Sequence, residues 1–171
     1  MSEPLSPERQ DLVEKLASHY QELVGAVQKR SEEELRLRPA PGEWSALQQL
    51  EHQLMVEDVW TAMARRASAE AEPDLAELWA TYRKAEEQNP FPPPAEPRSL
   101  SRLLTALAAR HRETLALLES VPDGAFGRAG RNTGFGNLSV LQMFRGVYRH
   151  YRMHIDQIEG REPSFQPRRV Q

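Results

Sequence analysis

The sequence predicts an all-α fold, a four-helix bundle around one hydrophobic core. Three observations lead there. Apolar residues recur at three- and four-residue steps in four long stretches. Those stretches open on capping residues and are parted by links rich in proline and glycine. No pair of alternating apolar and polar runs joined by turn residues competes for a sheet. A chain of 171 residues is long enough to bury one sizeable core and too short for two ordinary domains. One domain over 1–171 is therefore expected, with a flexible tail from about 162 to 171.

The first helix opens at Ser6-Pro7, a cap followed by proline at the first helical position. Leu12, Val13, Leu16, Tyr20, Leu23, Val24 and Val27 then form one apolar face. After Arg30 comes a short acidic piece, SEEEL, and then the breaker RPAPGEW. Ser45 and Gln48 form a capping box that opens the second helix, which runs to about Ala67. Its apolar side is Leu47, Leu50, Leu54, Val56, Val59, Trp60 and Met63. Residues 68–98 read as a long crossover link. Within it, Asp74 to Gln88 predicts a satellite helix using Leu75, Leu78, Trp79 and Tyr82, which NPFPPPAEP cannot continue because proline lacks the amide donor. The third helix opens at Ser99, carries Leu100, Leu104, Leu107, Leu115 and Leu118, and stops before Val121-Pro122-Asp123-Gly124. A glycine-rich loop, GRAGRNTGFG, leads to the fourth helix, where Ser139 and Gln142 form another capping box.

Composition narrows the function. Hydrophobic residues make up 39% and charged residues 27%, with both signs interspersed, as in a soluble globular protein. A formal charge of −3 leaves no positive field for phosphates or anionic lipid, so neither nucleic acid nor membrane is an expected partner. Cysteine is absent, which excludes disulfides, thiolate metal ligands and a cysteine nucleophile from this chain. The opening MSEPLSPERQ lacks a basic start followed by an apolar run, and no stretch is apolar for long enough to span a bilayer. A cytoplasmic location is the default expectation.

Histidine carries the chemistry. The sequence has five: His19, His52, His111, His150 and His154. His150 and His154 stand four apart, so their imidazoles leave one helix face a turn apart, beside Val147 and Ile158. His52 lies in line with Val56, Val59 and Met63, and so points inward too. His111 sits within the leucine stripe of the third helix and His19 flanks the apolar face of the first. Facing inward does not choose among them.

Depth along the bundle does discriminate. His52 lies roughly 10 Å into its helix, while His150 and His154 average about 13 Å from the far end of theirs. The two sets come level if the second and fourth helices run antiparallel, and miss by about 9 Å if they run parallel. The long link at 68–98 can carry the chain back along the bundle, making the third helix parallel to the second. His111 then falls a turn or more off the level of His52, and His19 comes level with the fourth-helix pair as a possible pocket residue. Depth thus favours His52, His150 and His154 as three ligands for one divalent metal, with open positions for water or substrate.

RPAPGEWSALQQLEHQLMVEDVW resembles the segment of the DinB-like (DinB/YfiT) superfamily in which a Trp-Ser pair opens a helix bearing the first histidine. FGNLSVLQMFRGVYRHYRMHIDQIEG resembles that family's final helix, with two histidines four apart and a Gln-Ile pair. The resemblance implies a four-helix bundle of up-down-down-up topology and metal ligands at His52, His150 and His154, with nickel or zinc as the ion. It also implies that a homodimer paired through helix faces is plausible. Two departures stand out: Tyr151 and Asp156 occupy positions that in many members are acidic and small, respectively, so a carboxylate orienting a ligand imidazole is lost or relocated. Gln157, three residues after His154, is the first candidate to bond a ligand imidazole or line the pocket. Gln48 has a weaker claim because capping already explains it. Glu57 projects about 140° away from His52 and is not expected to be a ligand. Trp44 is expected to pack over the helix start.

The resemblance further implies a transferase in which an external low-molecular-weight thiol, such as bacillithiol or mycothiol, adds to a small electrophilic substrate. A metal-dependent hydrolase is the alternative. A third reading is a binding or structural protein whose metal, closed off by His19 or His111, staples the bundle.

Overall fold

Serine side chains set where most of the helices begin. Ser6 accepts the Arg9 amide and places Pro7 at the head of α1, Pro7–Gln28. Ser31, Ser45 and Ser139 each form a reciprocal capping box, with Glu34, Gln48 and Gln142, opening α2 (Glu32–Arg36), α3 (Ala46–Ala69) and α6 (Val140–Ile158). At the head of α4 (Ala76–Ala80) it is Asp74 Oδ1 that accepts the Ala76 amide, at 2.9 Å, and α5 (Leu100–Ser120), which follows Ser99, starts without a bond from the Ser99 side chain. The computed structural model describes residues 6–80 and 93–164.

Four long helices, α1, α3, α5 and α6, pack as a bundle, and cross-helix pairs give their directions. Glu51 meets Arg98 and Glu57 meets Thr114, so α3 and α5 run the same way. His19 stacks on Tyr148 while Glu22 pairs with Arg152, so α1 and α6 also run the same way. Arg9 donates to the Val121 carbonyl and Tyr20 stacks on His111, so α1 opposes α5. These directions are those of an up-down-down-up bundle, and the crossover supplies the parallel step. Leu12, Leu16, Leu23, Leu47, Leu50, Met63, Leu107 and Phe144 are buried at the centre. Among the described residues no helix is long and apolar enough to cross a membrane.

Two segments differ from the sequence reading. SEEEL is not merely an acidic link: it forms α2, because Ser31 and Glu34 make a capping box of their own and Leu35 is buried. The glycine-rich loop is also more than a loop. It folds as an antiparallel hairpin of β1 (Ala129–Thr133) and β2 (Gly136–Ser139), pairing Ala129 with Ser139 and Gly130 with Leu138. Backbone bonds hold it to the crossover: Leu75 N–H donates to the Arg131 carbonyl and Arg131 N–H to the Pro73 carbonyl, both at 2.9 Å. A Cβ on Gly130 would lie 2.1 Å from Leu75 Cδ1, so glycine is what lets the ribbon lie this close. Of the satellite helix expected over 74–88, the described part is α4; Tyr82 and the remainder lie outside the described residues, as does the end of the expected tail.

Candidate metal centre

The antiparallel packing of α3 on α6 decides which histidines meet. His52 stands two turns into α3, and His150 and His154 lie in the last turns of α6. Opposed directions bring these levels together. One ring nitrogen from each of the three lies within 4.8 Å of the others. Ring centroids are 5.0 Å apart for His52 and His150, 5.5 Å for His52 and His154, and 4.4 Å for His150 and His154. Three nitrogens bound to one tetrahedral ion at about 2.1 Å would lie about 3.4 Å apart, so the triad stands near the spacing that one ion would need. All three histidines are buried, and the Trp44 ring sits 4.8 Å from that of His52, covering one side.

Burial also fixes protonation. It pushes His150 well below its ordinary range, with His154 and His52 adding repulsion. Burial likewise takes His154 down to about 3, helped by His52 and opposed by the bond to Gln157. Both rings are neutral at pH 7 and can offer a lone pair. His150 Nδ1 lies 2.6 Å from Gln53 Oε1, and His154 Nδ1 lies 2.9 Å from Gln157 Oε1. Against amide carbonyls, Nδ1 carries the hydrogen and Nε2 the lone pair. His154 Nε2 is buried without a hydrogen-bond partner. A buried lone pair left over in this way is what a metal ion would satisfy, so the residues fit the group the fold family implies.

The other candidates fall in different places. Gln157 is exposed and reaches back to His154. Gln48 is occupied at the helix start: its carbonyl accepts the Ser45 amide and its Nε2 donates to the Pro94 carbonyl at 3.2 Å. His19 stacks on Tyr148 and places Nδ1 3.5 Å from Glu22. His111 stacks face to face on Tyr20 at 4.1 Å, and burial holds its pKa down at about 4.

Sequence reasoning missed Gln53, which is fully buried between His150 and Glu57. Glu57 is equally buried, and its carboxylate accepts from Thr114 Oγ1 at 2.5 Å, Tyr151 Oη at 2.6 Å and Gln53 Nε2 at 3.4 Å. Burial raises its pKa, and these three bonds oppose the rise. Tyr151 thus turns its hydroxyl to an acid on α3.

Residues 15–158 match the family model described as the DinB superfamily. The chain belongs to the DinB superfamily. Among solved structures, it is similar to YfiT from Bacillus subtilis, described as a probable metal-dependent hydrolase with an unusual four-helix bundle topology. The identity is 18% and the TM-score 0.66, over 94% of this chain and 89% of that one. A DinB-like protein from the same organism, YjoA, matches at 14% identity and TM-score 0.59, over 93% of this chain and 99% of that one. Both likenesses bear on the fold. No curated protein sequence matches the chain.

Proposed function

We propose that this DinB-superfamily chain is a metal-dependent transferase. His52, His150 and His154 hold one divalent ion, nickel or zinc, and an external low-molecular-weight thiol is added to a small electrophilic substrate. The observation that carries the reading is the convergence of three histidine nitrogens within 4.8 Å, in a triad where His154 Nε2 is buried without a hydrogen-bond partner. A divalent ion on uncharged ligands keeps its charge and lowers the pKa of a thiol or water brought beside it. The chain's own part is to present lone pairs: Gln53 and Gln157 hold Nδ1–H of two rings, and Trp44 covers the third. With no cysteine in the sequence, the sulfur comes from outside, as bacillithiol or mycothiol would supply it.

A hydrolase needs a base for its water, and the buried carboxylates are engaged elsewhere. Glu51 is bonded to Arg98, Glu57 to Thr114 and Tyr151, and Asp156 to Arg161 and Ser164. This favours thiol transfer. The likeness to YfiT favours hydrolysis as the second reading.

The test loads purified wild type and His150→Ala with nickel or zinc, then measures bound metal, thiol consumption against a panel of electrophiles, and ester and amide hydrolysis without thiol. The wild type is expected to bind one ion and consume thiol, and His150→Ala to lose both. Metal-dependent hydrolysis without thiol would move the assignment to the second reading. Bound metal with no turnover would leave a metal-stapled binding or structural protein. A wild type that takes up no metal ends all three. A homodimer belongs to the same reading, and light scattering of the loaded protein tests it.

A further inference from the structure

A metal-binding histidine must present the correct nitrogen, and in this chain two glutamines face that task in unequal settings. Gln157 is exposed, so its amide can turn over at little cost. Gln53 is fully buried and bonded at both ends, to His150 Nδ1 at 2.6 Å and to Glu57 Oε2 at 3.4 Å. An amide bonded at both ends transmits direction. If its NH2 faces Glu57, its carbonyl faces His150; the reverse orientation would offer His150 a donor, move the ring hydrogen to Nε2 and block the ligand position.

What sets the direction is the far end. Glu57 Oε2 already accepts from Tyr151 Oη at 2.6 Å and is placed to accept only. The other oxygen meets Thr114 Oγ1, whose hydroxyl also lies 3.0 Å from the Arg110 carbonyl. Whether Glu57 is ionised or carries a proton on Oε1 shared with Thr114, Oε2 remains an acceptor. The polarity of the chain is the same in both states.

We propose that Glu57 is a positioning residue for the metal centre: acting through Gln53, it holds His150 in the Nδ1–H form, with Nε2 free for the ion. Four side chains from three helices, Thr114, Glu57, Tyr151 and Gln53, serve to orient one imidazole. Glu57 touches neither the ion position nor substrate. The inference rests on the metal-site reading for its purpose, yet the tautomer it predicts is a property of the metal-free protein.

Two readouts test it. The first is the tautomer of His150, read from long-range 1H–15N correlation spectra of the metal-free protein. The second is zinc affinity, from competition with a chromophoric chelator. Wild type is expected to show His150 as Nδ1–H. Gln53→Met and Glu57→Leu are expected to shift His150 toward Nε2–H and weaken zinc binding about 10–100-fold, the usual effect of losing an outer-shell partner. Glu57→Gln should restore both, because its amide oxygen can occupy the Oε2 position while its NH2 donates to Thr114. Should Glu57→Leu fail to fold, Gln53→Met and Glu57→Gln decide the matter. An unchanged tautomer in folded Gln53→Met, or Nε2–H already in wild type, overturns the proposal. A correct tautomer in a wild type that binds no zinc would sink the metal reading and leave the orienting role standing.

Discussion

Asp156 stands two residues from His154 and is occupied with the end of the helix. Burial would raise its pKa, but the Ser164 amide and hydroxyl, Arg161 and Arg152 outweigh that and take it down to about 2. A carboxyl held below its unfolded value of about 3.9 stabilises the fold fully above that value, and the effect drains away as pH falls through about 2. Asp156→Asn should therefore cost about 1–2 kcal/mol at pH 7, the half-exposed arginines screening part of the charge. The two proteins should become indistinguishable near pH 2, which urea unfolding of metal-free samples at both pH values can check. At this scale the histidines were legible and Gln53 was not. Periodicity treats Gln49, Gln53, Glu57 and Thr61, spaced by four, as a polar outer stripe, yet all four are buried. The groups that hold Gln53 and Glu57 in place, His150, Thr114 and Tyr151, sit on other helices, and no spacing along one helix reveals them.

The helices were legible because serine caps announce them, and boundaries read from Ser6, Ser45, Ser99 and Ser139 fall within a residue or two of the structure. The same rule, applied to Ser31 and Glu34, would have found α2. The hairpin was hidden for a physical reason. Its pairing is carried by backbone groups and by residues that bend the chain, such as Asn132 at φ 62° and Gly136 at φ 82°, and almost no alternating apolar residues mark it. Contact between elements also depends on what is missing from a residue. In α6, a Cβ at Gly146 would lie 2.2 Å from the Trp60 ring of α3. Gly146→Ala gains helix propensity but forces the ring aside, and overpacking of this kind costs about 1–3 kcal/mol. A lower melting temperature is expected; an unchanged one would mean that Trp60 moves freely. Because the contact ties α3 to α6, zinc affinity should weaken as well.

For the whole molecule, the crossover matters most. By returning the chain so that α5 runs with α3, it leaves α3 antiparallel to α6 and sets the three histidines at one level. A metal held by these three would therefore join two helices far apart in sequence, and its binding would be linked to folding. At a free zinc concentration 100 times Kd, the native state gains about 2.7 kcal/mol, which for a protein of this size is about 5–11 °C in Tm. Scanning calorimetry should show that rise in wild type, its reversal by chelator, and no rise in His154→Ala. The amides behind His150 and His154 have an electrical consequence. Where a carboxylate backs an imidazole it lends negative charge to the ion; an amide lends almost none. A dication seated on these rings would stay electron-poor and draw its neutralising partner from solution, so that the resting protein and its anionic co-ligand form one unit before any reaction begins.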